Sequence, residues 1–268
     1  VTSIGSSAFS FCSALETINY NAKHATLSSN GVFGGGGAGT AGDGISVIFG
    51  NSVEYIPSRL FYGELKVTSV TIGENVTSIG FSAFYGCQNL TKVVMPASVE
   101  TIDSNAFHGC TGITSVGPIG SGCDYEFGWT ETIPQYAFAG CTNITHVIMP
   151  GTITTTGYEE FAGCTGITSA GPIGGDYDFE FGWTDSIPDY TFYRTGLQSV
   201  ILPETLTRIG NSAFNSTALE SLVIPDSVET IGDSAFYCCS AMESLTIGEG
   251  VTSIGSSAFS FCSALETI

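Results

Sequence analysis

The sequence predicts a repeat solenoid, on three observations: a phenylalanine that returns at a fixed interval, apolar positions fixed around it, and a unit too short to enclose a core alone. An Ala-Phe pair recurs at Phe9, Phe84, Phe107, Phe138, Phe214, Phe236 and Phe259, with looser equivalents at Phe61, Phe161 and Phe192. From Phe61 onward the intervals are 23, 23, 31, 23, 31, 22, 22 and 23 residues, so the basic unit is about 23 residues and two units carry eight more. Phe33 marks one further, distorted unit. Self-similarity at such a period decides the architecture before any local assignment is made. A unit of this size cannot bury its own apolar face, so each must be sheltered by its neighbours.

Within a unit the order of elements follows from the residues, as in Leu222, Ile224, Pro225, Val228, Ile231, Gly232, Ala235, Phe236, Cys239 and Met242. The stretch before the proline alternates and is rich in Val, Ile and Leu, which predicts a short strand with one buried face. Pro96, Pro150, Pro203 and Pro225 end it, because proline cannot donate a ladder hydrogen bond. The Ser/Asn-x-Ala-Phe segment after Ile-Gly is long enough for a turn or so of helix and no more.

The motif V-x-x-I-G-x-x-A-F-x-x-C stands at Val76 to Cys87, Val99 to Cys110, Val228 to Cys239 and Val251 to Cys262. It resembles the BspA-like branch of the leucine-rich repeats, across nearly the whole chain, with Asn21 to Asn51 the weakest part. The resemblance implies a leucine-rich repeat solenoid of the α/β repeat class, with short parallel strands, one per turn, joined by turns and short helical segments. It also implies a surface protein that binds other proteins or matrix, with no common reaction. On this reading the chain is one solenoid over residues 1–268, about eleven coils long.

Two lengthened units share an insertion, at 117–132 and 171–186, in copies 54 residues apart. Gly-Pro followed by glycines marks turns, and the alternating acidic and aromatic residues predict a strand projecting from the solenoid. Residues 34–44, a run of Gly, Ala, Thr and Asp, predict a flexible excursion. Val1 to Ile18 is identical at all 18 positions to Val251 to Ile268. Neither copy carries a polar capping unit, which predicts either a piece of a longer array or head-to-tail association, a contact that builds filaments.

Composition removes whole classes of function. Six basic residues against 25 acidic ones leave a net charge of -19, so no patch exists to hold a phosphate backbone, and nucleic acid is excluded. An anionic membrane surface is disfavoured for the same reason. No run of roughly 20 apolar residues is present to insert into a bilayer. There is no G-x-S-x-G elbow, H-E-x-x-H pair or phosphate-cradling G-x-x-x-x-G-K, so neither catalytic residues nor a cofactor is predicted.

Seven cysteines, Cys12, Cys87, Cys110, Cys141, Cys164, Cys239 and Cys262, fall three residues after the repeat phenylalanine. This predicts a ladder of buried thiols acting as small apolar fillers, with Glu64, Thr195 and Thr217 as equivalents elsewhere. No C-x-x-C spacing is present to hold zinc. Cys238 is placed poorly to bridge its neighbour Cys239, and Cys123, in an insertion, is a candidate free surface thiol. His24, His108 and His146 lack catalytic partners and read as surface or edge residues. Asp176, Asp178 and Glu180, like Asp124 and Glu126, alternate with rings; this suits either a weak Ca²⁺ site or a solvated face over a packed aromatic one. The Asn-x-Ser/Thr triplets at Asn75, Asn89, Asn143 and Asn215 matter only in a eukaryotic secretory pathway.

Partner binding is predicted on the outward side of the strands. If Val93 and Met95 point inward, Val94 points out, and the same alternation exposes Ile148, Ile201 and Val223, with Thr71 and Thr246 continuing the row. Trp129 and Trp183 recur in both insertions, as packing anchors or as ligand platforms. The predicted function is a non-enzymatic, cell-surface or secreted adhesion module for host or microbial proteins or extracellular matrix, with a structural spacer or self-assembling array as the alternative.

Overall fold

The computed structural model describes every residue except 6, 24, 28–31, 33–42 and 156–158. Phe33, His24 and most of the glycine-rich excursion therefore lie outside the described residues. The chain divides into two compact units, one of Val1–Trp129 with Pro134–Asn143 and the other of Thr130–Ile133 with Ile144–Ile268.

In the first unit the main sheet runs, in spatial order, through Thr17–Tyr20, Ile45–Phe49, Val67–Thr71, Lys92–Met95, Tyr125–Phe127 and Ser115–Pro118, every pair parallel. A second row, Tyr55–Ile56, Ser78–Ile79 and Thr101–Ile102, pairs in parallel as well. The second unit repeats the plan. Its main strands are His146–Met149, Phe179–Phe181, Ser169–Pro172 and Ser199–Val200, followed by the pair Ser221–Ile224 and Ser244–Ile247. Its second row is Ser186–Ile187, Arg208–Ile209, Thr230–Ile231 and Ser253–Ile254. A coil thus carries two strands, not one. Ser78–Ile79, Arg208–Ile209, Thr230–Ile231 and Ser253–Ile254 each precede a glycine with little room for a side chain: a Cβ on Gly232 would sit 2.6 Å from the backbone nitrogen of Asn211 in the neighbouring coil.

No helix occurs among the described residues, so the short helical segments are absent and the Ala-Phe stretch is a run of turns. The hydrogen bonds show why. Ala83, Tyr85 and Cys87 donate within their own coil to Gly80, Ser82 and Phe84, whereas Ser82, Phe84 and Gly86 donate to Ser104, Ala106 and His108 in the next. A helix needs every amide for its own ladder. Here alternate amides are spent on the neighbouring coil, and left-handed residues such as Ser82 (φ 52°) and Gly86 (φ 70°) turn them outward.

The core is the phenylalanine file. In the first unit Phe61 and Phe84 stack at 5.6 Å and Phe84 and Phe107 at 5.1 Å. In the second, Phe192, Phe214, Phe236 and Phe259 follow at 5.1–5.2 Å. Each inserted strand interrupts its file. Tyr125 stands edge-on between Phe107 and Phe138, and Phe179 between Phe161 and Phe192. The insertions therefore do not project: Tyr125–Phe127 lies between Lys92–Met95 and Ser115–Pro118, and Phe179–Phe181 between His146–Met149 and Ser169–Pro172. Their rings are the reason, since fully buried Tyr125, Phe127, Phe179 and Phe181 belong in a core and not on a projecting strand.

Candidate functional site

The outer face of each sheet is built by the strand alternation. Val93 and Met95 are fully buried, and Val94 between them turns outward and is half-buried. In the first unit the outward row in register is Ile48, Thr71, Val94, Glu126 and Gly117. In the second it begins Ile148, Glu180 and Gly171. Ile201 comes next, its amide donating to Ala170 at 2.9 Å, and Val223 stands opposite Thr246. Ile201 is 54% exposed and Val223 67%, the most open apolar positions of the row. Ile148 is half-buried and is separated from Ile201 by the inserted Glu180 and by Gly171. An uninterrupted aliphatic stripe is thus not formed in this unit; Ile201 and Val223 make a shorter one.

The loops leading into the inserted strands fold over this face. A Cβ on Gly117 would meet Ser121 Oγ and Cys123 Sγ at 2.7 and 2.9 Å, and one on Gly171 would strike the Tyr177 ring. Cys123 is consequently buried beneath its loop and is no surface thiol. The loop tips Ile119 and Ile173 are exposed.

The acidic residues of the insertions hold these loops. Asp124 Oδ2 accepts from Thr114 N at 2.8 Å and Thr114 Oγ1 at 2.7 Å. Asp178 Oδ2 accepts from Thr168 N, Thr168 Oγ1 and Ser169 N at 2.8, 2.6 and 3.1 Å. Glu126 and Glu180 accept from Gly122 N and Gly174 N, both at 2.9 Å. The carboxylates are drawn apart toward amides, and among the described residues no three metal-ligating side chains converge.

Trp129 and Trp183 are buried, and their Nε1–H groups donate to the carbonyls of Val99 and Ile153. Each ring stacks inward, Trp129 on Phe127 and Trp183 on Phe181 and Phe179. Their burial and inward stacking fit the packing role of the two readings.

The thiol ladder is built as spaced, with its first and last members the least buried. Cys87, Cys110 and Cys141 donate Sγ–H to the carbonyls of Phe61, Phe84 and Phe107 at 3.2, 3.2 and 3.3 Å. Cys239 and Cys262 do the same to Phe214 and Phe236 at 3.1 and 3.2 Å. Burial pushes the Cys141 thiol up to about 12 and raises Cys87 and Cys110 as well. Cys12 is exposed and Cys262 half-buried, so the ladder is not buried throughout. Three of the four Asn triplets also serve packing: Asn75, Asn89 and Asn143 donate Nδ2–H to Asn51, Leu65 and Thr111 in the preceding coil.

One surface feature was missed in the sequence. Tyr62, Tyr85 and His108 form an outer ring file, stacked at 4.9 and 5.1 Å. All three immediately follow the repeat phenylalanine, and that shared offset was the available signal. His146 is half-buried at the start of its strand.

The family profile described as "BspA type Leucine rich repeat region (6 copies)" matches residues 1–35, 43–168 and 185–268. No curated protein matches the chain. Among solved structures, the pneumococcal vaccine antigen PcpA is similar with a TM-score of 0.50 and 19% identity, over 99% of this chain and 80% of that one. A leucine-rich repeat protein from Bacteroides ovatus is similar with a TM-score of 0.39 and 22% identity, over 99% and 81%. A leucine rich cell surface protein from Faecalibacterium prausnitzii gives 0.39 and 19%, over 100% and 82%.

Proposed function

Because the chain belongs to the BspA-type leucine-rich repeat family, we propose that it is a non-enzymatic binding module, cell-surface or secreted, that engages a host or microbial protein or matrix macromolecule through the outer face of its sheets. The observation that supports this is the contrast along single strands. Leu222 and Ile224 are buried at 3% and 1%, while Val223 between them is 67% exposed and Ile201 in the neighbouring coil 54%. Exposed β-branched residues aligned in register give a partner apolar area to cover, and repeat surfaces distribute affinity over many coils. Val94 and Ile148 belong to the same outward rows and are assigned smaller contributions, because they are half-buried already.

The test is capture of host and matrix proteins on the immobilised chain, repeated with Ile201→Ser and Val223→Ser together. Saturable capture that the double variant weakens about tenfold or more supports the reading, since two truncated apolar contacts of this kind cost roughly that much. Absence of any saturable partner, or capture indifferent to the two substitutions, would remove it. The alternative, a spacer or head-to-tail array, is favoured by the 18-residue identity between Val1–Ile18 and Val251–Ile268. Light scattering across a concentration series separates the two, because an array grows with concentration and a partner-binding monomer does not.

A further inference from the structure

Charge is distributed unevenly between the two units. The unit of Thr130–Ile133 and Ile144–Ile268 holds sixteen carboxylates against two arginines, whereas the other holds nine against four cationic side chains. In the former, part of that charge is ordered into columns. Glu243 N donates to the Glu220 carbonyl at 2.8 Å and Glu266 N to the Glu243 carbonyl at 3.0 Å, so these three exposed glutamates occupy one position in successive coils. A second column, Glu204, Asp226 and Glu249, follows the other end of the strands, with Glu249 N bonded to Asp226 Oδ1 at 2.9 Å.

The exposed row of Ile201, Val223 and Thr246 runs midway between the columns. Val223 lies three positions from Glu220 on one side and from Asp226 on the other; both stand just outside the strand Ser221–Ile224, at most about 10 Å away along the chain. Within a column, neighbours repeat at roughly the 4.8 Å strand spacing. None of the six carboxylates takes part in an ion pair among the described residues. Like charges at that spacing repel, and a cationic partner would relieve them.

We propose that this face docks a basic amphipathic helix, with the helix axis running across the strands, its apolar side on Ile201 and Val223, and its Lys and Arg side chains reaching the acidic columns on either flank. The proposal rests on the outer face being a binding surface and adds the chemistry of the occupant. The dimensions fit: a helix is about 10–12 Å across, and long cationic side chains lay their stems along apolar surface while extending their charged ends sideways. An added β-strand would instead need an open sheet edge, which the row does not offer.

The experiment uses the intact chain and a labelled 18-residue peptide with Leu along one helical face and Lys on both flanks, read by fluorescence anisotropy. Saturable one-to-one binding that weakens with added salt is expected. Glu220→Gln with Glu243→Gln and Glu266→Gln should weaken it about tenfold, and so should Glu204→Gln with Asp226→Asn and Glu249→Gln. Neutralising Glu74, Glu100 and Asp103 in the other unit should change it less than about twofold. Circular dichroism confirms that each variant is folded. Equal loss in that control, or equal binding of a peptide with Glu in place of Lys, would overturn the proposal. If the peptide fails to bind while a captured macromolecule is still released by the Ile201→Ser and Val223→Ser variant, the basic helix is wrong and the binding face stands.

Discussion

The thiol of Cys141 donates to the carbonyl of Phe107 at 3.3 Å across 34 residues of chain, whereas the same bond spans 26 residues from Cys87 to Phe61 and from Cys110 to Phe84. The eight extra residues leave this bond unchanged. They are absorbed by the inserted strand, which joins the sheet and sets Tyr125 between Phe107 and Phe138, so the coil lengthens without breaking the ladder.

Thiol accessibility tests the ladder directly. In native protein, Cys12, Cys238 and Cys262 should react with a thiol reagent, and Cys87, Cys110, Cys123, Cys141, Cys164 and Cys239 only after unfolding. Cys262, half-buried, should react more slowly than the exposed Cys12 and well before any of the buried six. Peptide mapping after brief labelling reads both; protection of Cys12 or rapid labelling of Cys110 would contradict the arrangement.

Alkaline pH should loosen the fold. Burial holds Cys141 at about 12, above the ordinary thiol value of 9.0, and raises Cys87 and Cys110 in the same direction. The folded state therefore binds these protons more tightly than the unfolded chain. Their contribution is complete below about pH 9 and is lost as pH rises from there through about 12, at roughly 1.4 kcal/mol per group per pH unit. Urea unfolding at pH 7.5 and pH 10.5 should give a lower midpoint at the higher pH, and Cys141→Thr should reduce the difference.

Glu64 occupies the ladder position that Thr195 and Thr217 fill elsewhere, and burial raises its carboxyl above the ordinary value. A raised carboxylate pKa means that ionisation costs stability as pH climbs through the acidic range. Replacing Glu64 by Thr, whose hydroxyl donates to the Phe carbonyl of its own coil at 2.9 Å at both other sites, should stabilise the protein by about 1 kcal/mol. The gain should be larger at pH 7 than at pH 4, read as a shift in urea midpoint.

Trp129→Phe removes the donor to the Val99 carbonyl while keeping an aromatic body in place. A buried carbonyl left without its partner costs about 1–3 kcal/mol. Thermal unfolding should show that loss, with capture of a surface partner unchanged; a variant that folds normally and loses binding would make Trp129 a contact residue after all.

The Phe spacing and the Cys offset established the coil and its core from sequence alone, because a fixed period leaves stacked identical positions as the one way to bury Phe84, Phe107, Phe214 and Phe236. The alternation in Lys92–Met95 likewise gave the outward side of the sheet, since side chains in a strand must alternate. Three features were decided only by the tertiary structure. The Ala-Phe segment became turns because its alternate amides bond to the next coil, a demand that local propensity does not contain. The inserted strands entered the sheet, broke the Ile148 to Ile201 row and buried Cys123, because their rings were better sheltered in the phenylalanine file than in solvent. The acidic columns, finally, come from residues 22 or 23 apart that only the coil register sets side by side. Periodicity fixes which residues are equivalent; hydrogen bonding between coils and competition for buried space fix where the exceptions go.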